Sequence, residues 1–148
     1  MRTRTARPPE LLGLHRPTAR VTGARLRLTG VLADCSPTDV RRLVAIADPI
    51  VADGGLTVQE LCRSRWVYLL LDGAFAVTCD DTAYVVSAGD AVGVRAALSG
   101  RSPIVGIQTL EPSRFLVVPA ATFVGLLRTR PTLAFGIARH LADDHGMA

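Results

Sequence analysis

The chain has 148 residues, 49% of them hydrophobic and 20% charged, which suits one compact domain and is too short for two ordinary ones. No apolar run approaches the length of a membrane-spanning helix, and the longest runs are the size of a strand. The net charge is +4, but seven of the seventeen arginines lie in the first 27 residues beside a single acid, Glu10. The rest of the chain has ten arginines and twelve acids, so the net charge of the whole chain says little about a binding surface on the domain itself.

Residues 1–27 contain three prolines and little apolar periodicity. We expect a flexible, arginine-rich N-terminal arm followed by one folded domain at residues 28–145. The arm lacks the apolar segment of a secretory signal. It could contact the phosphates of a nucleic acid, but phosphate contacts carry no sequence information, so no specific DNA binding is expected. A solvated tail is the favoured interpretation.

A helix is predicted from Ser36 to about Ala47. Ser36 suits the N-cap, Pro37 suits the first turn, and Asp39 suits the positive helix end. The apolar residues that follow have helical spacing: Val40, Leu43, Val44 and Ala47.

From residue 53 to residue 118 the pattern changes to short apolar runs broken by turn residues. "WVYLLL" and "AFAVT" flank Asp72-Gly73, which predicts a tight hairpin between these two strands. Three further strands are predicted at "AYVVS", "IVGIQTL" and "RFLVVP". Within "WVYLLL", we expect Tyr68 and Leu70 to lie in the core or to line a pocket rather than to contact a ligand. Many short strands indicate a mainly β, antiparallel sandwich, barrel or jelly roll.

Helical spacing returns at the C-terminal end of the chain. One short stripe consists of Phe123, Leu126 and Leu127, and Pro131 ends it. A second helix is predicted from the four-residue repeat of Leu133, Ile137 and Leu141.

In this order and spacing, five segments resemble the cyclic nucleotide-binding domain of catabolite-activator-type (Crp/Fnr-like) regulators and of cyclic-nucleotide-regulated kinases and channels. They are "SPTDVRRLVAIAD", "YLLLDGAFAV", "SAGDAVG", "IQTLEPSRFLVVP" and "FVGLLRTRPTLAFGIARHLA". The resemblance covers residues 31–143. It implies an antiparallel jelly roll (a double-stranded β-helix) of eight strands, with flanking N- and C-terminal helices, and a regulatory role without catalysis.

The resemblance also implies where a ligand would bind, within "GDAVGVRAALSGRSPIVG". In the family, a glycine–glutamate pair opens a short helix whose N–H groups face the cyclic phosphate, the glutamate binds the ribose, and an arginine ten residues beyond the glycine binds the phosphate. Here the glycine is Gly93, the glutamate position holds Val94 and the arginine position holds Pro103. Each lost contact is worth about 1.5–3 kcal/mol, so losing two would weaken binding by roughly two to four powers of ten.

An alternative register shortens the loop by two residues and makes Arg101 the phosphate partner, with Arg95 as a second cation. The candidate ligand residues are Gly93, Val94, Arg95, Ala96 and Arg101. We expect no cofactor and regard a cyclic nucleotide as disfavoured. A functional cyclic-nucleotide or small-anion site that uses Arg95 and Arg101 is the alternative.

Catalysis and metal binding are not expected. A jelly-roll metalloenzyme needs histidines inside the β body, but His15, His140 and His145 all lie outside it. His140 is expected to border the buried face of the last helix, and a metal site formed with nearby acids is disfavoured. Three widely spaced cysteines without a CxxC pair, Cys35, Cys62 and Cys79, fit a reducing cytoplasm rather than a disulfide framework.

Two functional hypotheses remain. The domain is either a sensor whose pocket has lost or changed its nucleotide, or a protein-interaction module that uses the jelly roll as a scaffold. The expected partner is another protein or a second copy, bound through the terminal helices. No helix-turn-helix is expected, because the chain ends within ten residues of Arg139.

Overall fold

The computed structural model describes residues 14–15, 30–60, 66–80, 82–101 and 104–143. The predicted arm therefore lies outside the described residues, apart from the pair Leu14–His15, which forms a short strand. Ser102 and Pro103 also lie outside them.

Nine strands and four helices are formed by the described residues. The first half of the chain contributes β1 (Leu14–His15), α1 (Pro37–Ile46), β2 (Asp48–Ala52), β3 (Thr57–Glu60), β4 (Trp66–Asp72) and β5 (Ala74–Cys79). The second half contributes β6 (Ala83–Ser87), β7 (Ala91–Val92), α2 (Val94–Ser99), β8 (Ile104–Thr109), β9 (Ser113–Pro119), α3 (Ala120–Thr129) and α4 (Pro131–Asp143).

The strands form two antiparallel sheets. The first sheet has the order β1-β2-β9-β4-β7 and the second has the order β3-β8-β5-β6. The sheets do not close into a barrel; α1 precedes β2, and α3 and α4 follow β9. The predicted mainly β, jelly-roll architecture with flanking helices is confirmed.

The predicted hairpin at Asp72-Gly73 is wrong. β4 pairs with β7 and β9 in the first sheet, whereas β5 pairs with β6 and β8 in the second, so the chain crosses between sheets at this point. Gly73 has a φ of +96°, and a Cβ atom there would overlap Ser113 Oγ. The Asp-Gly pair therefore indicates a turn that contains a residue in the left-handed conformation. Such a residue is needed where the chain passes from one sheet to the other, just as it is in a tight hairpin.

An aromatic group fills the space between the sheets. Tyr68, Phe75 and Phe115 are at most 1% exposed, and the Phe75 and Phe115 rings meet edge to face with their centroids 5.1 Å apart. Leu70 is fully buried in the same core. Tyr68 and Leu70 are thus core residues, as predicted.

The outer face of the first sheet is covered by the helices. α1 is capped as predicted, because the Asp39 N–H donates to Ser36 Oγ at 3.1 Å and Pro37 occupies the first turn. Apolar residues from the sheet and from every helix form one cluster, which includes Leu43, Leu69, Val94, Phe123, Leu133 and Ile137. This cluster fixes the helices relative to the β body.

An ion pair between a buried carboxylate and a partly exposed guanidinium group joins α1 to the junction of α3 and α4. Asp39 has no exposed surface, and its Oδ1 accepts from Arg130 Nε at 3.1 Å and from Nη2 at 2.9 Å. Thr132 Oγ1 donates to Asp39 Oδ2 at 2.6 Å. The hydrogen bond from Thr132 and those from Arg130 hold the pKa of Asp39 below its usual range, although burial acts in the opposite direction.

No helix in the described part of the chain is both long and apolar enough to cross a membrane.

Candidate functional site

A cavity of about 190 Å³ opens between strand β6, the turn into α2 and the end of α4. Its apolar lining includes Val31, Val86, Val92, Ile104 and Leu141. The side chains with polar groups around it are Cys79, Tyr84, Asp90, Arg95 and His140. The predicted ligand-binding segment therefore borders a real cavity.

Gly93 gives the turn into α2 its shape. It is the N-cap of α2 with a φ of +95°, and its carbonyl accepts from the Ala97 N–H at 2.9 Å. A Cβ atom at this position would lie 2.5 Å from the Trp66 carbonyl oxygen. Only glycine combines the left-handed conformation with this close approach to the backbone of β4.

Val94 opens α2 and is only 5% exposed. It borders the cavity, but it also belongs to the apolar cluster beneath the helices, where it packs with residues such as Val67 and Phe123. The position at which the resemblance implies a ribose-binding glutamate is therefore a core position in this protein.

Arg95 and Ala96 follow on the first turn of α2, and both line the cavity. Arg95 is exposed, so its guanidinium group is hydrated at the rim. Arg101 is also exposed, but it lies beyond the left-handed Gly100 and is not among the residues that line the cavity. The backbone N–H of Arg101 donates to Ser99 Oγ at 3.2 Å. Four of the five candidate ligand residues thus come together, and Arg101 stays apart.

Sequence reasoning missed several residues that surround the cavity. Asp90 is half-buried, and its Oδ1 accepts from the Ala91 N–H at 2.8 Å. Gly30 packs against this carboxylate, and its N–H donates to the Gly89 carbonyl at 3.2 Å. Asp90 lies in the segment "SAGDAVG", but the sequence carries no signal that residue 30 returns to it.

Tyr84 of β6 and His140 of α4 also line the cavity. Burial, followed by the nearby acidic groups Cys79 and Asp90, raises the pKa of Tyr84 above its ordinary value. Alternation in "AYVVS" places Tyr84 on the same face as the buried Val86, which is the signal that could have identified it. His140 is half-buried on α4, at the border of the buried face as expected, and that border also lines the cavity.

The charges around the cavity are mixed rather than purely cationic. One guanidinium (Arg95), one carboxylate (Asp90) and one imidazole (His140) lie around a largely apolar wall. Within the described ranges, no group of three or more His, Cys, Asp or Glu residues is arranged to hold a metal ion.

No family model matches the chain, and no curated protein matches it. Solved structures do resemble it. The N-terminal domain of a transcriptional regulator from Streptomyces coelicolor A3(2) is 18% identical with a TM-score of 0.61, and the match covers 80% of this chain and 87% of that one. A putative cyclic nucleotide-binding protein from Geobacter metallireducens GS-15 is 15% identical with a TM-score of 0.63, covering 76% of this chain and 86% of that one.

The catabolite activator protein of Thermus thermophilus is also similar, with 15% identity and a TM-score of 0.63. That match covers 76% of this chain but 56% of the Thermus chain, so the present chain spans about half the length of that regulator. The chain therefore has the fold of a cyclic nucleotide-binding domain of the kind found in catabolite-activator-type regulators.

Proposed function

We propose that this chain is a non-catalytic regulatory domain in which the usual contacts to a cyclic nucleotide are largely lost. The observation that carries the proposal is the packing of Val94 into the apolar core, at the position where the resemblance implies a ribose-binding carboxylate. An aliphatic side chain leaves a ribose hydroxyl without a partner, which adds a desolvation penalty to the lost hydrogen bond.

The size and charge of the cavity support the same proposal. About 190 Å³ is small beside the roughly 300–1,000 Å³ that is typical of pockets for drug-sized ligands. Arg95 is exposed at the rim, and Arg101 does not line the cavity. A cyclic phosphate would therefore meet one hydrated cation and the nearby Asp90 carboxylate.

Helix α4 offers a route between the cavity and the rest of the domain. Its C-terminal half supplies His140 and Leu141 to the cavity, and its first turn supplies Thr132 to the buried Asp39 of α1. A ligand or partner that shifts α4 would therefore act on both sites. In a sensor, this coupling would transmit ligand binding from the cavity to α1. In an interaction module, the same contacts would hold α4 in a fixed position for its partner.

The proposed partner is another protein or a second copy, bound through the terminal helices. Phe135 on the outer face of α4 is 65% exposed, the largest exposed fraction among the described large hydrophobic residues. Exposed aromatic side chains are enriched at protein interfaces. We place the protein in the cytoplasm, since its three cysteines are odd in number, widely spaced and without a CxxC pair.

Calorimetric titration with cyclic AMP and cyclic GMP tests the proposal. We expect no saturable binding at ligand concentrations below about 100 μM. Saturable binding of either nucleotide below that concentration would contradict the loss of the usual contacts.

A small-anion or cyclic-nucleotide site remains the second candidate, because Arg95 does line the cavity. Arg95→Ala and Arg101→Ala form a matched pair of variants at two exposed arginines, one in the first turn of α2 and one just after its end. If an anion binds in this cavity, Arg95→Ala should weaken it by about tenfold or more, and Arg101→Ala should leave it nearly unchanged. The opposite order would support the alternative register of the loop.

A further inference from the structure

Strand β6 is an open edge of the second sheet, and the cavity lies beside it. No strand in the described part of the chain pairs with the outer side of β6, and its residues 84–86 line the cavity. Edge strands are usually protected by charges, prolines or bulges, but "AYVVS" has no charge and no proline and pairs regularly with β5. The edge and the cavity together form the β6 groove, which is bordered by residues 83–87, 90–96 and 140–141.

The hydrogen-bond phase of the β5–β6 ladder shows which backbone groups face the open edge. The Cys79 N–H donates to the Thr82 carbonyl at 2.7 Å, and hydrogen-bonded pairs alternate along an antiparallel ladder. Ala83 and Val85 therefore belong to non-hydrogen-bonded pairs, and their N–H and C=O groups point away from β5. Within the described ranges, no strand pairs with these groups. An extended peptide supplies a donor and an acceptor at the matching spacing, so the edge favours a polypeptide strand as its partner.

The end of β6 at Ser87 is already partly occupied. The Ser87 carbonyl accepts from the Asp90 N–H at 3.2 Å, in the turn that leads to the cavity. Pairing at the open edge is therefore centred on Val85, whose side chain is 62% exposed. Both neighbours of β5 in this sheet are antiparallel to it, and antiparallel pairs are slightly more stable than parallel ones. We accordingly expect an added strand to run antiparallel to β6.

A strand added at this edge would direct alternate side chains into the cavity. Side chains alternate between the two faces of a sheet, and the buried Val86 shows which face of β6 is turned inward. The peptide residue opposite Val85 would face outward, whereas its two neighbours, level with Val86 and Tyr84, would face inward. The wall there is largely apolar and includes Ile104 and Leu141. Since a cavity of about 150 Å³ holds a benzene molecule, about 190 Å³ accommodates a large aliphatic side chain.

Carboxylates at the two ends of β6 restrict the partner further. Asp80 precedes the strand, is exposed and forms no ion pair with a described residue, and Asp90 follows the strand. A second copy of β6 paired antiparallel would bring Asp80 of one molecule level with Asp90 of the other, so self-pairing is disfavoured. Arg95 lines the cavity together with Asp90, whereas Asp80 lies outside the lining residues. A cation on the partner is therefore most favourable at the Asp80 end.

We propose that the β6 groove binds an extended peptide segment of a partner protein, added antiparallel to β6 and centred on Val85. The segment has aliphatic side chains on either side of its central residue, a basic residue towards Asp80 and no acidic residue. His140 and Leu141 make the end of the terminal helix α4 part of this docking surface. The inference rests on the proposed function, because a cavity that holds a cyclic nucleotide would not admit a side chain.

A defined peptide tests the proposal by calorimetric titration. The probe is acetyl-Thr-Leu-Thr-Leu-Thr-Arg-amide, whose third residue would pair with Val85 and whose arginine would lie towards Asp80. We expect saturable binding with a Kd of about 100 μM. N-methylation of the third residue removes the N–H that donates to the Val85 carbonyl and should weaken binding by about tenfold. Replacing both leucines with aspartate should weaken binding by at least about tenfold, because carboxylates would enter an apolar cavity.

Val85→Pro is the matching change in the protein. It removes the N–H that faces the open edge and leaves the β5–β6 ladder intact, a position at which edge strands accept proline. We expect about tenfold weaker binding of the probe, whereas Val85→Thr keeps both backbone groups and should bind it as the native chain does. Asp80→Lys should reverse the charge preference, so that a probe ending in glutamate binds better than the one ending in arginine.

Amide hydrogen exchange gives a second measurement, on the native chain. Saturating probe should slow exchange of the Ala83 and Val85 amides by about tenfold or more, because they gain hydrogen bonds. The Tyr84 and Val86 amides face β5 and serve as internal controls that should change little.

No binding of the probe up to about 1 mM, equal affinity of the N-methylated probe, or unchanged exchange at Val85 would each overturn the proposal. Titration with cyclic AMP separates this failure from failure of the proposed function. If neither the probe nor the nucleotide binds, only the inference about the peptide is wrong. If cyclic AMP binds below about 100 μM, the proposed function is wrong.

Discussion

Val94 shows how one side chain links the core to the candidate site. It lies on the first turn of the short helix beside the cavity, yet its side chain is 5% exposed and belongs to the apolar cluster under α3 and α4. The resemblance predicted a missing carboxylate at this position. The structure adds a physical reason why the position suits valine, since a carboxylate there would share its surroundings with aliphatic and aromatic groups.

We expect Val94→Glu to destabilise the domain by about 3 kcal/mol or more, because it places a carboxylate in the apolar cluster. It should not create micromolar binding of cyclic AMP. Urea denaturation and calorimetry provide the two measurements. The adjacent Arg95→Glu, at an exposed position, serves as the control and should change the free energy of unfolding by no more than about 0.5 kcal/mol. A stable Val94→Glu variant that binds cyclic AMP tightly would show that the position is a functional one.

Helices α1 and α4 are connected by a pair of charges as well as by apolar packing. Asp39 is fully buried and accepts from Arg130 and Thr132, which follow α3 and begin α4. Breaking a buried pair by removing one charge leaves the other without compensation. This connection holds the helix that carries His140 and Leu141 to the cavity.

Asp39→Asn should lower the free energy of unfolding by about 3 kcal/mol at neutral pH, because Arg130 loses its buried partner. Since the pKa of Asp39 is lower in the folded state, its contribution is fully present above the unfolded value of about 3.9. The contribution is lost as the pH falls below that value and through the folded pKa. Denaturation of both proteins between pH 7 and pH 3 should therefore show the difference shrinking in acid. A constant difference over this range would contradict the ionic role.

The joining of the two sheets depends on a corner at Gly73. β4 ends in the first sheet and β5 begins in the second, and the connecting glycine has a φ of +96°. A Cβ atom at Gly73 would lie 2.8 Å from the Pro112 carbonyl oxygen. The corner thus brings the start of β5 against the turn that precedes β9.

Gly73→Ala should destabilise the domain more than Gly55→Ala does. Both glycines have positive φ, so both variants incur the left-handed penalty of about 1–2 kcal/mol. A Cβ at Gly55 meets nothing within 4 Å, whereas one at Gly73 meets the backbone at residues 112–113. We expect an additional loss of at least about 1 kcal/mol for Gly73→Ala in chemical denaturation. Equal losses of unfolding free energy in the two variants would mean that the backbone at residues 112–113 shifts to accommodate the new Cβ atom at no cost in stability.

The family resemblance and the local sequence patterns predicted most of the fold and part of the candidate site. Capping at Ser36, alternation in the strands and the interruption at Pro131 are effects of neighbouring residues, so they could be interpreted without a structure. Gly93, Val94, Arg95 and Ala96 were singled out because they follow one another in the segment that the resemblance marks as ligand-binding, and they line the cavity. His140 and Tyr84 reach the cavity from other elements, and their position depends on how those elements pack.

The helices, most strands and the mainly β class could be predicted from the sequence, because they depend on short-range steric effects and hydrogen bonding. They did not reveal which strands meet: Asp-Gly between β4 and β5 fits a hairpin locally, yet the two strands belong to different sheets. Nor did they reveal the pairing of Asp39 with Arg130, 91 residues apart. Contacts at such separations arise from burial of shared apolar surface in three dimensions, and no local periodicity records them.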